Sequence, residues 1–130
     1  MARLILDTTV LIDAERPGQR LDRLIHDDDD VAIAAITAAE LLVGVELATG
    51  RRRPARAAFV QSVLDTIPIE DYDARVGRTH AGLLAHVRRS GSPRVAHDLI
   101  IAATAAAHDR LVVSADHTAF VDLPGVGLRT

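Results

Sequence analysis

The sequence predicts one domain of the α/β class, built around a mainly parallel β-sheet. Short apolar runs that stop at polar residues alternate along the chain with longer segments of helical periodicity. This alternation is typical of parallel strands that are connected by helices. The length of 130 residues leaves room for one hydrophobic core of ordinary size. We therefore treat residues 1–130 as a single domain.

Five apolar runs are the candidate strands. Each is short and bounded by polar residues, as expected of strands that are buried on both faces of a parallel sheet. The three stronger runs are residues 3–6, 31–34 and 110–114, and the two weaker runs are residues 66–69 and 125–128.

The segments between these runs have helical patterns. Thr37 and Glu40 have the spacing of a capping box, which predicts a helix from Thr37 to about Thr49 that ends at Gly50. The other predicted helices are a short one around Leu21, Leu24 and Ile25, and longer ones at residues 55–66, 72–90 and 95–108.

The composition excludes several classes of protein. With 48% hydrophobic and 25% charged residues, the chain has the composition of a soluble globular domain. Because there is no cysteine, disulfides, thiolate metal sites and cysteine nucleophiles are excluded. All 15 basic residues are arginine, and the absence of lysine excludes P-loop and Schiff-base chemistry. Aromatic residues make up only 2%, which argues against RNA-binding modules built on aromatic platforms.

The sequence contains no expected membrane span or secretion signal. Its first apolar run meets Asp7 after three residues, which is too short for a signal peptide. The longest apolar stretch, residues 31–48, contains Glu40 and Glu46, and carboxylates are costly inside a bilayer. We therefore expect a cytoplasmic protein.

Two aspartates follow predicted strands. Asp7 ends the first strand, and Asp116 lies two residues beyond residues 110–114. Ligands of open α/β sheets bind beyond the carboxyl ends of the strands, so both residues are candidates for a functional site. The alternatives are structural: Asp7 as a helix N-cap, and Asp116 as a turn or cap residue.

Two further acids lie on the apolar stripes of predicted helices. Glu40 and Asp98 have apolar neighbours three, four and seven positions along the chain. A carboxylate is rarely buried unless it is paired or bound to a metal. The alternatives are the capping box for Glu40, and for Asp98 a favourable position in the helix dipole or an ion pair with Arg94.

A doubly wound fold can gather these four carboxylates in one crevice, where they cannot all stay ionised without cations. Oxygen ligands without cysteine suit Mg²⁺ or Mn²⁺ better than Zn²⁺. Such ions activate water and stabilise the charge that develops on a phosphodiester. The residues therefore predict a metal-dependent phosphodiester hydrolase.

The four acids lie in motifs that resemble the PIN domain family, specifically the VapC-type ribonuclease toxins of bacterial toxin–antitoxin pairs. The resemblance covers residues 3–128 and implies a five-stranded, mainly parallel sheet with helices on both faces. The motifs are LDTTVLI at 6–12, TAAEL at 37–41, HDLIIAATA at 97–105 and SADHTAF at 114–120.

The resemblance also implies roles for individual residues. Asp7 and Asp98 would be the principal Mg²⁺ ligands, and Glu40 and Asp116 would complete the acidic pocket, some through water. Thr9 and Ser114 stand where the family has hydroxyl or amide side chains near the metal, and would support the site by hydrogen bonds. The sites implied for catalysis and metal binding are thus Asp7, Glu40, Asp98 and Asp116.

The activity implied by the resemblance is cleavage of single-stranded RNA by a metal-activated water, which leaves a 5′-phosphate and a 3′-hydroxyl. The implied partners are a second copy of the chain and a cognate VapB-type antitoxin. Its C-terminal segment would cover the site and place a basic side chain among the carboxylates.

The formal net charge of −3 does not exclude RNA as a substrate, because four acids belong to the site. Arg51, Arg52 and Arg53 form a basic turn that either contacts phosphate or is simply a solvated loop. His97 need not face the site, because adjacent side chains on a helix diverge, and we expect an exposed or supporting position for it. His117 is expected in an exposed turn.

Two alternative functions use the same residues. A non-catalytic PIN-like module would bind RNA or protein, but it would have no need of all four carboxylates. A metal-dependent phosphatase acting on small molecules would share the carboxylates but not the set of motifs.

Overall fold

The computed structural model describes residues 1–16 and 24–129, and its centre is a four-stranded parallel sheet. β1 lies inside the sheet, where Leu4 pairs with Val31 of one neighbouring strand and Leu111 of the other. The prediction of a mainly parallel α/β sheet is confirmed. The strands are β1 (Arg3–Leu6), β2 (Asp30–Ala34), β3 (Ile69–Glu70) and β4 (Leu111–Val113), in the order β3-β2-β1-β4.

Five α-helices in the described ranges connect the strands and cover both faces of the sheet. Successive side chains of β1 point to opposite faces, so Leu4 and Leu6 pack with α1, α2 and α3, while Ile5 packs with α4 and α5. The helices are α1 (Thr8–Ala14), α2 (Ala35–Leu47), α3 (Arg52–Thr66), α4 (Ala74–Ser90) and α5 (Ala96–Ala107), and a 3-10 turn spans His117–Ala119.

The weaker predicted strand at residues 125–128 is reduced to one β-bridge. Leu128 pairs with Val112 in parallel, and the Val112 N–H donates to the carbonyl of Gly127 (2.8 Å). Gly127 lies so close to β4 that a Cβ atom would come within 2.6 Å of the Leu111 side chain. The described residues therefore form four strands and one additional β-bridge, where five strands were expected.

The predicted capping box of Thr37 and Glu40 is wrong. α2 begins at Ala35, directly after β2, so Thr37 lies buried inside the helix. The Thr37 hydroxyl has no hydrogen-bond partner among the described residues. The helix starts early because the chain passes from the sheet into helical geometry without an intervening loop, and it ends at Leu47 rather than near Thr49.

The remaining helices match the predictions closely. The starts of α3, α4 and α5 differ from the predicted ones by three residues or fewer, and the ends of α3 and α4 coincide with them. The short helix predicted around Leu21, Leu24 and Ile25 falls largely outside the described residues. In the part of the chain that the structure describes, no helix has the length and apolar character needed to cross a bilayer.

A buried arginine ties the amino ends of the strands together. Arg110 is 8% exposed, and its Nη1 donates to the carbonyls of Leu4 (3.1 Å) and Asp30 (3.0 Å). The same nitrogen contacts Asp30 Oδ1 (3.0 Å). Because these partners belong to neighbouring strands, Arg110 holds β1 and β2 in their register.

Asp29 makes a second link at the same end of the sheet. Its side chain accepts hydrogen bonds from the backbone N–H groups of His26 (2.8 Å) and Ala2 (3.0 Å) and pairs with the Arg129 guanidinium. The hydrogen bond from His26 and the pairing with Arg129 hold the pKa of Asp29 far below its usual range. The C-terminal segment is thereby anchored to the loop before β2.

Candidate active site

Asp7 is a buried carboxylate at the carboxyl end of β1, and it is 2% exposed. Its Oδ1 accepts hydrogen bonds from the Val10 N–H (3.2 Å) and the Thr9 hydroxyl (2.6 Å), and its Oδ2 accepts one from the Ser114 hydroxyl (2.6 Å). The bond from Val10 makes Asp7 the N-cap of α1. The structural and the functional interpretation of Asp7 are therefore compatible.

Thr9 and Ser114 join the loops that follow β1 and β4. Each hydroxyl donates to Asp7, and Thr9 Oγ1 also accepts from the Ala115 N–H (3.3 Å). Ser114 Oγ accepts from the Asp116 N–H (2.9 Å). The structure thus places both predicted supporting residues directly on the Asp7 carboxylate.

Glu40 reaches the same crevice from α2. Its Oε1 accepts a hydrogen bond from the Thr8 hydroxyl (2.9 Å), and its Oε2 lies 3.3 Å from His97 Nδ1. The His97 side chain is half exposed, so this ring covers the outer side of the Glu40 carboxylate. Thr8 was not among the residues predicted for the site. A hydroxyl side chain directly after Asp7 was the feature of the sequence that could have indicated it.

Asp98 lies in the first turn of α5 and is partly buried. Burial raises the pKa of its carboxyl group, and the negative charges of Asp7, Glu40 and Asp116 raise it further, while His97 acts in the opposite direction. Asp98 therefore lies within electrostatic reach of the other three predicted acids.

The alternative in which Arg94 forms an ion pair with Asp98 is wrong, because the two side chains are not paired in the described part of the chain. Arg94 Nη1 instead points to the carbonyl of Ala119 (3.5 Å). Arg94 precedes the start of α5, where the extended backbone of Val95 breaks the helical spacing that would align the two side chains. Asp98 is left facing the other carboxylates.

Asp116 is the most exposed of the four acids and stands on the rim of the crevice. Its Oδ1 accepts from the Thr118 hydroxyl (2.6 Å), which orients the carboxylate at the start of the 3-10 turn. His117 is exposed in that turn, as expected.

The predicted basic turn is exposed and lies at the start of α3. Arg53 Nη2 is 3.7 Å from Glu46 Oε2, whereas Arg51 makes no side-chain contact of this kind with a described residue. Arg52 borders a groove that extends away from Glu40. Arg56 lies on the same groove one helical turn further along.

The donors in the crevice are carboxylate and hydroxyl oxygens, which are the ligands that Mg²⁺ and Mn²⁺ prefer. Within the described ranges, no three His, Asp or Glu side chains stand close enough to form a ready metal cage. Mg²⁺ retains several waters and takes only one or two direct carboxylates, so these donors fit it. Burial is the main cause of the raised pKa of Asp98, and the charges of Asp7, Glu40 and Asp116 add to it, so a bound cation would favour the ionised form of this carboxylate.

The fold and the crevice together define a class of protein: a parallel α/β domain with carboxylates gathered beyond the carboxyl ends of β1 and β4. The sequence profile of the PIN domain family matches residues 4–125. The chain belongs to the PIN domain family.

The relatives of the chain include two curated proteins. Ribonuclease VapC5 of Mycobacterium tuberculosis is 40% identical over 115 residues, which cover 86% of this chain and 82% of the relative. The tRNA(fMet)-specific endonuclease VapC of Salmonella typhimurium is 26% identical over 97% of this chain and 96% of the relative.

A solved structure has the same fold over the full length. It is VapBC-5 from Mycobacterium tuberculosis, a member of the VapBC family of toxin–antitoxin systems, and it matches with a TM-score of 0.83 and 34% identity. The match covers 100% of both chains. The chain therefore resembles VapC proteins in sequence and in structure.

Proposed function

We propose that this protein is the ribonuclease toxin of a toxin–antitoxin pair and that it cleaves single-stranded RNA with Mg²⁺ or Mn²⁺. The observation that carries the proposal is the hydrogen-bond network beyond the carboxyl ends of β1 and β4. Ser114 links Asp7 to the backbone of Asp116, and Thr8, next to Asp7, donates to Glu40. The charges of these three acids add to the rise that burial causes in the pKa of Asp98. The similarity to Ribonuclease VapC5 supports RNA as the substrate class.

In the proposed site, Asp7 and Asp98 would hold the divalent ion directly, and Glu40 and Asp116 would complete the acidic pocket, some through water. When bound, the ion supplies an activated water and stabilises charge on the scissile phosphate. Thr9, Ser114 and the Val10 N–H hold the Asp7 carboxylate in one orientation, because all three donate hydrogen bonds to its oxygens.

The proposed reaction is hydrolysis. The water oxygen bonds to phosphorus and the water gives up a proton, while the bond from phosphorus to the 3′ oxygen breaks and the leaving 3′ oxygen takes up a proton. The products are a 5′-phosphate and a 3′-hydroxyl, and no side chain of the protein forms a covalent bond. His97, which is half exposed beside Glu40, helps to hold that carboxylate on the edge of the crevice.

The partners are also proposals. A cognate VapB-type antitoxin would block the crevice with a basic side chain that competes with the metal for the carboxylates. The similarity to VapBC-5, a toxin–antitoxin complex, supports this partner. We further propose that the chain forms a homodimer and acts in the cytoplasm.

The test is cleavage of a pool of cellular RNAs by protein free of antitoxin, with Mg²⁺ or Mn²⁺ and with EDTA. Asp7→Asn and Asp98→Asn should abolish the cuts. The matched control is Asp65→Asn, because Asp65 is an exposed acid on α3 that bonds only to Gln61 among the described residues. A second readout is thermal unfolding, in which Mg²⁺ should raise the Tm of the native protein but not of the two site variants.

Metal-dependent cuts that persist in Asp65→Asn and vanish in the site variants support the nuclease. RNA that binds but stays intact with either metal would favour a binding module instead. Hydrolysis of small phosphate esters without RNA cleavage would favour a phosphatase.

A further inference from the structure

A groove between α1 and α3 leads away from Glu40 and changes in chemistry along its length. The inner hollow, of about 40 Å³, borders Glu40 and has an apolar lining that includes Ile12, Phe59 and Val60. The outer hollow is larger, about 530 Å³, and is bordered by Arg52 and other basic residues. The groove therefore runs from the acidic crevice across an apolar floor to a basic end.

An ion pair stands where the two hollows meet. Arg56 Nε lies 2.8 Å from Glu15 Oε2, and both residues, together with Phe59, line both hollows. The Arg56 guanidinium also lies against α2, because a Cβ atom on Gly44 would stand 3.3 Å from Arg56 Nη1. The absence of a side chain at Gly44 leaves room for the arginine within the groove.

The basic end of the groove is positively charged, whereas the chain as a whole carries a net negative charge. Arg16, Arg52 and Arg56 border the outer hollow, and Glu15 is the one acid among the described residues of its lining. Arg52 forms no ion pair with any described carboxylate. This local surplus of positive charge lies in a protein whose net charge is −3. A polyanion is the ligand that such an arrangement attracts.

We propose that this groove binds the RNA strand on one side of the scissile phosphate. A base next to the cleaved bond lies on Ile12 and Phe59, and the following phosphates contact Arg52 and Arg56. The inference rests on the proposed nuclease function. The order of chemical groups along the groove supports this proposal. An apolar floor followed by arginines matches a single strand, in which a base and a phosphate follow one another.

Glu15 has a specific part in this arrangement. In the free protein the Glu15 carboxylate forms an ion pair with the Arg56 guanidinium. An incoming phosphate must therefore compete with Glu15 for Arg56. Removing the charge of Glu15 should therefore strengthen RNA binding, which is an effect that structural damage does not produce.

The experiment measures binding of a fluorescein-labelled, mixed-sequence RNA of about 12 nucleotides. The full chain is used, and EDTA prevents cleavage, so binding is separated from catalysis. Arg52→Gln and Arg56→Gln should each weaken binding by about five- to tenfold, and each should lower the slope of log K against log salt by about 0.7. The matched control is Arg78→Gln, because Arg78 is an exposed arginine on α4, which packs on the opposite face of the sheet from the groove. It should change binding by less than about twofold.

Two further variants test the remaining parts of the groove. Glu15→Gln should tighten binding by about threefold. Phe59→Leu should weaken it by about tenfold with an unchanged salt slope, because a stacked base and not a phosphate contact is lost. Far-UV circular dichroism and thermal unfolding confirm that each variant is folded before its affinity is compared.

The possible failures are distinguishable. If the native protein binds and cleaves RNA but the groove variants behave like Arg78→Gln, the groove assignment is overturned and the nuclease stands. If the native protein neither binds nor cleaves RNA, both proposals fall. If Phe59→Leu leaves RNA binding unchanged but abolishes binding of a co-expressed protein partner, the groove is a protein interface and the RNA assignment is overturned.

Discussion

The Ser114 hydroxyl donates to Asp7 Oδ2 at 2.6 Å and so joins the carboxyl ends of β4 and β1. Both side chains are buried, and the other Asp7 oxygen accepts from Thr9 and Val10. The carboxylate is held on both oxygens by groups that belong to two neighbouring strand ends. A central residue of the crevice is therefore oriented by the sheet and not by its own side-chain preferences.

Ser114→Ala should lower both activity and stability. The variant loses a buried hydrogen bond to a charged group, which costs about 1.5–3 kcal/mol of unfolding free energy. A loosened carboxylate ligand should lower RNA cleavage by about tenfold or more. Chemical denaturation and a cleavage assay measure the two effects. Ser114→Thr keeps the hydroxyl and should retain more activity than Ser114→Ala, and equal losses in both would argue against the hydrogen bond as the cause.

Asp98→Asn should raise the stability of the metal-free protein while it abolishes cleavage. Because the pKa of Asp98 is raised in the fold, its ionisation favours the unfolded chain. The contribution of the protonated form to stability is complete below the ordinary value of 3.8 and is lost as the pH rises through the raised value. At pH 7 in EDTA, the Tm of Asp98→Asn should exceed that of the native protein by a few degrees. A Tm equal to or below that of the native protein would show that the ionised Asp98 carboxylate does not destabilise the folded state.

Arg110→Met should be strongly destabilising. It removes the shared donor of the Leu4 and Asp30 carbonyls and leaves the Asp30 carboxylate paired with Arg3 alone, at an expected cost of about 3 kcal/mol. Arg3→Met is the matched control, because Arg3 contacts the same carboxylate but its side chain is 42% exposed. The control should cost about 1 kcal/mol or less in urea denaturation. Similar costs for the two variants would show that burial of Arg110 has no special role.

Asp29→Asn should remove part of the acid sensitivity of the fold. The pKa of Asp29 is lowered in the folded state, so its stabilising contribution is present above its ordinary value of 3.8 and is lost as the pH falls toward the lowered value. The variant should be less stable than the native protein at pH 7, and the difference should shrink as the pH falls below 4. Asp28→Asn serves as the control, because Asp28 is exposed and pairs only with the N-terminal amine among the described residues. A pH-independent difference would assign the effect to packing.

The sequence predicted the location of the site because carboxylates have strong positional meaning in an α/β chain. Asp7 and Asp116 follow apolar runs, and Glu40 and Asp98 interrupt apolar stripes, so each was anomalous by local pattern alone. The structure brings these acids to one place, and the roles of all four as metal ligands remain predictions.

Other features could not be predicted because they depend on contacts between distant segments. The spacing of Thr37 and Glu40 satisfies a capping box, but β2 continues directly into α2 and buries Thr37 instead. The residues at 125–128 form an apolar run, yet they pair with β4 through a single bridge between Leu128 and Val112. Arg94 is four positions before Asp98, but only one of the two lies within the helix.

The sequence by itself determined the fold class, the order of strands and helices, and the four acids, because apolar periodicity and buried charge are properties of local pattern. Only the tertiary structure decided which groups hold Asp7, that His97 lies beside Glu40, and that Arg52, Arg56 and Phe59 line one groove. These relationships join residues that are far apart in the chain, and their distances depend on how the helices pack against the sheet. Packing of this kind is a property of the whole core, and no short segment of the sequence contains it.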